Sequence, residues 1–403
     1  MKTYKDLVAY HLDNGYWSTE PDPRYGYKLS PEPFLLKPNI MRQLKEIGQL
    51  TSCYHKGVSG LLDFCGHHGN QNLATQTVYN ICKQATDGLP ITYPEKNIPI
   101  AKVDVMIDHD ENLNIAEIDS YNSRPIPVAL FLRDIFGEDP SFIGVKSVLK
   151  DFVGEKRLVW MYAHRERFYE QIFKQMQRIL NQHGVHMVLQ DAFTESVMIL
   201  DEDIIDMVPW GMNWKEELPM REKLIKMYLN QPEKFLYPLS PWLSSKGLLG
   251  VISNPTLDFQ FEELNKAFFS DSIELLRRYV PPTVVLGKHF PKNNSWFQNK
   301  EFILKKDVES GSHGVWFANQ NHDEFNKATK LRHSSYIAQE SIDQKKFFIP
   351  HYGTNGQLLK SDWYLRLTAY IGENGDVIDA KITGRHTPDV HGSLDCIMLP
   401  CVA

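Results

Sequence analysis

The segment from Lys156 to Asp191 constrains the fold most. It consists of an apolar strand pattern (KRLVWMYA), an amphipathic helix pattern (RFYEQIFKQMQRILNQHG) ending at Gly184, and a second apolar strand pattern (VHMVLQD). Two strands joined by a helix normally pair in parallel, with the helix packed across the sheet. The segment therefore predicts a βαβ unit.

Three other regions add to this picture. AKVDVMID and LNIAEID alternate apolar and polar residues around the turn HDEN, which is typical of a β-hairpin between Ile100 and Ser123. FILKK, YIAQESI, YLRLTAYI and VIDAKITG alternate with turns and predict one antiparallel sheet with few helices. Near the N-terminus, spacings of three to four residues predict an amphipathic helix carrying Phe34, Leu35, Leu36, Ile40, Leu44, Ile47 and Leu50. The expected fold class is α/β in the mixed α+β sense.

Composition excludes several classes of protein. The chain has 403 residues, with 44 Lys and Arg against 50 Asp and Glu, and this net charge of −6 argues against a nucleic-acid binder with a basic face. An apolar stretch of about 18 residues is missing, and the start has no apolar signal region, so we expect no membrane segment and a cytoplasmic location. The five cysteines, odd in number, are expected to be reduced thiols.

The segment DFCGHHGN contains Cys65, His67 and His68, which could suggest a metal site or a nucleophile. A second CxxC or HxxxH motif does not lie nearby, so we favour a loop or helix start rich in Gly and His.

The segment FILKKDVESGSHGVWF is the most informative for chemistry. A strand carrying Lys305 is followed by Gly311, Ser312 and Gly314, and then by a second apolar strand. Such a glycine-containing turn can fold its backbone N–H groups over phosphates while the lysine adds positive charge. A plain surface hairpin is the alternative.

Two later strands favour a nucleotide site. YIAQESID, with Gln339 and Glu340, is a buried strand ending in an acidic turn, suited to an adenine edge and ribose hydroxyls. Arg366 lies in the alternating strand YLRLTAYI, where its guanidinium could grip a phosphate or carboxylate. Taken in this order, the strand with Lys305, the glycine-containing turn, the strand ending in Glu340 and the strand with Arg366 resemble an ATP-grasp nucleotide site.

A pair of acidic residues lies far upstream of these strands. Glu117 and Asp119 in LNIAEIDSYNSRP stand two residues apart on a strand, so both side chains point to the same face. Paired carboxylates on a half-buried strand repel each other unless a cation lies between them. We interpret them as magnesium ligands; a solvated hairpin face is the alternative.

Together these segments resemble the circularly permuted ATP-grasp ligases, nearest to eukaryotic-type glutathione synthetase and more distantly to glutathionylspermidine synthetase. The resemblance covers about 95–125 and about 235–403. It implies ATP and Mg²⁺ as cofactors, with metal ligands Glu117, Asp119 and Glu309. It also implies ATP-binding residues, namely Lys246, Lys305, Gly311, Ser312, Gly314, Gln339 and Glu340.

The same resemblance implies the remaining roles. Asn122, Ser123, Arg124 and Arg385 would bind substrate, with Arg385 in a mobile loop, and Lys305, Arg366 and Arg385 would be catalytic. The domain organisation would be an N-terminal helical and extended region (1–94), the permuted metal-ligand hairpin (95–150), a βαβ substrate domain (151–235) and the nucleotide-binding region (236–403).

The function expected on this basis is an ADP-forming carboxylate–amine ligase that acts through an acyl phosphate on small carboxylate and amine substrates. A homodimer is compatible with it. The alternatives are a phosphotransferase on the same ATP site, a non-catalytic nucleotide-binding protein, and a metal-dependent hydrolase centred on Cys65, His67 and His68.

Overall fold

The computed structural model describes residues 1–14, 27–68, 73–86, 98–120, 125–162, 170–191, 199–206, 218–238, 240–254, 259–269, 272–286, 301–307, 315–317, 323, 336–353, 355–390 and 395–403. Within these ranges the chain forms helices and three β-sheets, so the fold is of the mixed α+β type.

The helices among the described residues are α1 (Tyr4–Asp13), α2 (Pro38–His68), α3 (Leu73–Thr86), α4 (Pro125–Phe136), α5 (Val145–Val153), α6 (Glu170–Gln182), α7 (Leu218–Asn230), α8 (Lys246–Ser253), α9 (Phe259–Phe269) and α10 (Ser272–Tyr279). Short 3₁₀ helices span Pro232–Lys234 and Pro241–Ser244.

The strands are β1 (Phe34–Leu35), β2 (Ile100–Ile107), β3 (Leu113–Asp119), β4 (Leu158–Tyr162), β5 (Met187–Asp191), β6 (Ile204–Asp206), β7 (Thr283–Leu286), β8 (Phe302–Lys306), β9 (Val315–Phe317), β10 (Tyr336–Glu340), β11 (Lys346–Tyr352), β12 (Leu358–Gly372), β13 (Val377–Arg385) and β14 (Ile397–Val402).

The largest sheet among the described residues has seven strands. Its order is β1-β14-β13-β12-β2-β3, with β11 paired to the first half of the long strand β12. The hairpin expected from sequence is β2 and β3, which pair antiparallel, and β2 then pairs with β12. The hairpin therefore shares one sheet with strands more than two hundred residues further along the chain.

The two faces of this sheet differ in chemistry. Val103, Val105 and Leu367 are buried in the main hydrophobic core, where they exclude water from one face. Between them along the same strands stand Lys102, Asp104 and further polar residues, whose side chains therefore point to the opposite face. That second face carries the charged residues described below.

The C-terminal strands divide between two sheets, so the prediction of one antiparallel sheet is wrong. β8 and β10 belong to a four-stranded antiparallel sheet of order β7-β10-β8-β9, whereas β12 and β13 belong to the seven-stranded sheet. Alternation identifies a strand but not its partner, and here β10 pairs with β7 while β12 pairs with the distant β2.

The βαβ prediction is confirmed. β4 and β5 pair in parallel across α6, and β6 adds a third parallel strand on the other side of β4. Gly184 follows the helix with φ near +81°, a conformation that favours glycine, so it ends the helical segment as expected.

The helix predicted from Phe34 onwards begins later than its periodicity indicates. Phe34 and Leu35 form the short strand β1, which pairs in parallel with β14, and α2 starts at Pro38. Proline disfavours helical backbone in the residue before it and suits the first turn of a helix, which explains this boundary.

Helix α2 continues to His68, so the segment around Cys65 is the end of a long helix rather than a loop or helix start. Burial raises the pKa of the Cys65 thiol to about 12, which makes it a poor nucleophile. None of the described helices is both long enough and apolar enough to span a membrane.

Candidate functional site

The polar face of the β2–β3 hairpin gathers one lysine and three carboxylates, which we call the hairpin cluster: Lys102, Asp104, Glu117 and Asp119. Lys102 Nζ lies 3.2 Å from Asp104 Oδ2, 3.7 Å from Glu117 Oε1 and 3.3 Å from Asp119 Oδ2. These distances follow from the register, which places Asp119 opposite Lys102 and Glu117 opposite Asp104.

The cluster continues across the sheet onto β12. Thr368 Oγ1 donates a hydrogen bond of 2.6 Å to Asp104 Oδ1, and Arg366 lies 3.7 Å from Asp104 Oδ2. Burial alone would raise the pKa of Asp104, but Arg366 and Lys102 outweigh it and lower that pKa well below its ordinary value. Asp104 is therefore ionised although it is only 2% exposed.

A further cation stands on the next strand. Lys381 lies on β13 opposite Thr368 and donates to Thr383 Oγ1 at 3.2 Å. Burial, reinforced by repulsion from Arg366, lowers the Lys381 pKa to about 8. Among the described residues, Arg366 Nε is buried without a hydrogen-bond partner. This part of the face therefore carries positive charge beyond what its neighbouring carboxylate balances.

Lys246 reaches the cluster from the start of α8. Ser245 caps this helix by accepting from Leu248 N, and Asp307 Oδ1 accepts both from Ser245 Oγ and from Gly247 N, each at 2.7 Å. Lys246 Nζ donates to the Asp307 carbonyl at 3.2 Å and lies 3.9 Å from Glu117 Oε1. Asp307 therefore fixes the helix start that carries Lys246.

Lys305 reaches the same hairpin from β8. Its Nζ donates to the Ala116 carbonyl at 3.2 Å and to Gln339 Oε1 at 2.6 Å. Gln339 in turn donates to Thr283 Oγ1 at 3.1 Å, which holds it in place. Burial lowers the Lys305 pKa to about 8, although Glu117 opposes this effect.

Arg385 is engaged by carboxylates outside the hairpin cluster. It is the last residue of β13 and not part of a loop, so the sequence-based assignment to a mobile loop is wrong. Arg385 NH1 lies 2.7 Å from Asp389 Oδ2, and NH2 lies 2.9 Å from Asp395 Oδ2. With two carboxylates on one guanidinium, Arg385 ties the end of the strand to the segment that follows it.

Several residues named from sequence thus come together although they are far apart in the chain. Those within the group are Glu117, Asp119, Lys246, Lys305, Gln339 and Arg366. Glu340 follows Gln339 at the end of β10 and is half-buried. Seven others lie outside the described residues: Asn122, Ser123, Arg124, Glu309, Gly311, Ser312 and Gly314.

The sequence reasoning missed three residues of this site, namely Lys102, Lys381 and Asp307. A signal for Lys102 was present, because it precedes Asp104 by two residues and must share its face of the strand. Asp307 gave no comparable signal, since its role depends on a helix start sixty residues earlier in the chain.

The fit of this site to a magnesium ion differs between its two acidic candidates. Asp119 accepts from Ser244 Oγ through one oxygen and faces Lys102 through the other, so both oxygens are engaged. The Glu117 side chain is 21% exposed and suits a hard cation that also binds phosphate oxygens. Over the described part of the chain, no three His, Cys, Asp or Glu side chains are grouped so as to hold a metal by themselves.

A scan against protein-family models and a search of curated proteins each found no match to this chain.

Proposed function

We propose that this protein is an ATP- and Mg²⁺-dependent carboxylate–amine ligase that forms ADP, with an ATP-grasp fold in circularly permuted order. One observation carries the proposal. Lys246, Lys305 and Glu117 come from three distant segments, yet both lysine ammonium groups lie within 4 Å of the Glu117–Ala116 end of the hairpin. The resemblance noted from sequence requires that these residues converge. A plain surface hairpin, which is the alternative, does not require it.

The balance of charge supports an anionic ligand. Among the described residues of the site, five cations (Lys102, Lys246, Lys305, Arg366 and Lys381) stand with the three carboxylates of the hairpin cluster and with Asp307, the fourth, beside Lys246. Buried positive charge without a partner is unfavourable, and a bound phosphate or carboxylate would relieve it. ATP and an acid substrate supply both kinds of anion.

On this proposal Lys246 and Lys305 neutralise the phosphates of ATP, and Gln339 orients Lys305 through its 2.6 Å hydrogen bond. The strand β10 would lie along the adenine, with Glu340 near the ribose. The glycine-containing segment between β8 and β9 would cover the phosphates with its N–H groups.

Glu117 is the described residue best suited to hold magnesium, together with the phosphates and with Glu309. The metal, when bound, offsets charge on the phosphates during transfer. Asp119, whose oxygens are occupied by Ser244 and Lys102, supports the hairpin in the arrangement seen.

The acid substrate would lie on the adjoining part of the sheet face, near Arg366 and Lys381. A carboxylate oxygen of the acid attacks the γ-phosphorus, ADP leaves, and an acyl phosphate forms. The amine then attacks the carbonyl carbon, loses a proton, and releases phosphate as the amide forms. Positioning and electrostatics suffice for both steps, so no nucleophilic side chain is needed.

The test is a product assay with purified protein and MgATP. Pools of amino acids, short peptides and polyamines are screened for stimulation of ADP and phosphate release, followed by mass spectrometry of the products. A ligase releases phosphate only when an acid and an amine are both present, and yields an amide. A phosphorylated product with no amide would instead identify a phosphotransferase, and a protein that binds ATP without turnover under any pool would be a non-catalytic nucleotide binder.

A further inference from the structure

Lys102 occupies an unusual position at the centre of three acidic side chains. Its side chain is only 13% exposed, and its ammonium lies within 3.7 Å of Asp104, Glu117 and Asp119. A position among carboxylate oxygens is one that a hard metal ion prefers, although these three carboxylates are not grouped so as to hold a metal as they stand. Here a covalently attached ammonium fills that place.

Counted by direct ion pairs alone, the charges around this ammonium are already balanced, and Lys305 and Lys381 add further positive charge nearby. The three carboxylates face Lys102 together with Arg366 beside Asp104 and Lys246 beside Glu117. A free divalent cation added to this group would create an excess of two positive charges next to a buried ammonium. Like charges at such distances repel strongly when water is largely excluded.

The same count allows a metal that arrives with an anion. MgATP as a whole is negatively charged, so its entry adds no net positive charge to the group. Magnesium in nucleotide sites is commonly held by only one or two carboxylates, with phosphate oxygens and water completing its shell. Glu117 alone could therefore serve once phosphates are present.

We propose that Lys102 is a tethered cation which closes the hairpin cluster to free divalent metal, so that the metal reaches Glu117 only together with the nucleotide. The first half of this statement depends on the geometry of the cluster alone. The second half rests on the proposed function.

The experiment measures Mn²⁺ binding by electron paramagnetic resonance, with the full-length protein and without nucleotide. Wild-type protein should bind Mn²⁺ only weakly at this cluster. Lys102→Met removes the ammonium but keeps the three carboxylates, and should bind Mn²⁺ on the order of a hundredfold more tightly than wild type. Mn²⁺ should also raise the melting temperature of this variant and leave that of wild type unchanged.

Two further variants keep the result interpretable. Lys102→Met combined with Glu117→Gln removes one charge of each sign, so it should fold without metal and should not gain Mn²⁺ binding. Lys381→Met removes another buried lysine of the same sheet face, which donates to the Thr383 hydroxyl, and should also gain none.

Three results would overturn the proposal. The first is tight Mn²⁺ binding by nucleotide-free wild type that Glu117→Gln abolishes, and the second is a folded Lys102→Met protein that binds no Mn²⁺. The third is a Lys102→Met protein that stays unfolded when Mn²⁺ is added, although the double variant folds.

A second arm separates this inference from the proposed function. Adding a non-hydrolysable ATP analogue to wild type should bring Mn²⁺ into the protein, and Glu117→Gln should weaken that binding. If the analogue brings no Mn²⁺ while Lys102→Met alone gains it, the tethered cation stands and the nucleotide site is refuted.

Discussion

The Arg133–Asp379 ion pair and the hairpin cluster both bury charge against the seven-stranded sheet, but they share that charge differently. Arg133 on α4 donates to Asp379 Oδ1 through Nε at 3.0 Å and to the Cys401 carbonyl at 2.8 Å, and both side chains of the pair are 3% exposed. One cation therefore meets one anion in a closed arrangement.

In the hairpin cluster, by contrast, each charge has several partners and the contacts are longer. Lys102 is shared among three carboxylates, and Glu117 is shared between Lys102 and Lys246 at 3.7 and 3.9 Å. Short, fully buried pairs hold elements together, whereas long, shared contacts can be exchanged for those of a ligand. The comparison suggests that the pair serves stability and the cluster serves binding, and the following variants test this division.

The largest effect on stability is expected at the closed pair. Asp379→Ala leaves the Arg133 guanidinium buried without its carboxylate, and should lower the free energy of unfolding by about 3 to 5 kcal/mol. Urea denaturation followed by circular dichroism measures this quantity. The matched control is Glu274→Gln, which loses a 2.9 Å ion pair to Arg277 at a side chain that is 67% exposed. A surface pair of this kind contributes about 1 kcal/mol or less, and an equally small loss in Asp379→Ala would refute the division.

The largest effect on activity is expected within the cluster. Glu117→Gln should lower turnover by on the order of 10², while the free energy of unfolding changes by less than about 1 kcal/mol, because Lys102 keeps two other carboxylates. Steady-state kinetics and urea denaturation on the same samples separate the two effects. Glu262→Gln, which loses an ion pair to Arg277 on α10, is the control and should keep full turnover. Undiminished turnover in Glu117→Gln would remove this residue from the site.

Nucleotide affinity should respond to Lys305. Lys305→Met deletes a positive charge in a site partly closed to water, and should raise the Kd for MgATP roughly tenfold in a calorimetric titration. Lys306 is the next residue of the same strand, and its ammonium lies 6.0 Å from the centre of the Trp316 ring. Lys306→Met should therefore leave the Kd unchanged, and equal effects of the two variants would place the phosphates elsewhere.

The pH dependence follows from the same lysine. Burial favours the neutral amine, so Lys305, with a pKa of about 8, loses its charge as the pH rises through 8. Because the charged form binds phosphate, kcat/KM for ATP should fall above about pH 8. Lys305→Arg keeps its charge at these pH values and should move the fall to higher pH. Superimposable profiles for the two proteins would exclude Lys305 as the group responsible.

The smallest effect is expected at Arg385. Its guanidinium already pairs with Asp389 and Asp395. Arg385→Ala should therefore change KM for the acid substrate by less than about threefold, and the free energy of unfolding by about 1 kcal/mol or less. A rise in KM of ten- to a hundredfold, with ATP affinity unchanged, would instead show that Arg385 exchanges its aspartates for a substrate carboxylate, as the family resemblance implies.

Local pattern was enough to predict the hairpin and the βαβ unit, because both depend on contacts between neighbouring segments. The partners of β8, β10 and β12 could not be predicted from the pattern, since alternation is the same whichever strand lies alongside. The division of the C-terminal strands into two sheets is therefore a result of the structure.

The candidate site shows the same limit. Glu117 and Asp119 were recognised as carboxylates in need of a cation, and magnesium was the cation expected. The structure supplies Lys102 from the facing strand, and the positions of Lys381 and Asp307 depend on pairing and helix packing far along the chain. Residue types indicated the chemistry, but the counter-ions were decided by tertiary structure.

The most direct test of the central claim follows one oxygen atom. The acid substrate found in the product assay is labelled with ¹⁸O in its carboxylate, and the phosphate released during amide formation is analysed by mass spectrometry. If the acid is activated as an acyl phosphate, its attacking oxygen stays on phosphorus when the amine displaces phosphate, so each phosphate carries one labelled oxygen. Amide formation with unlabelled phosphate would contradict the proposed ligase mechanism.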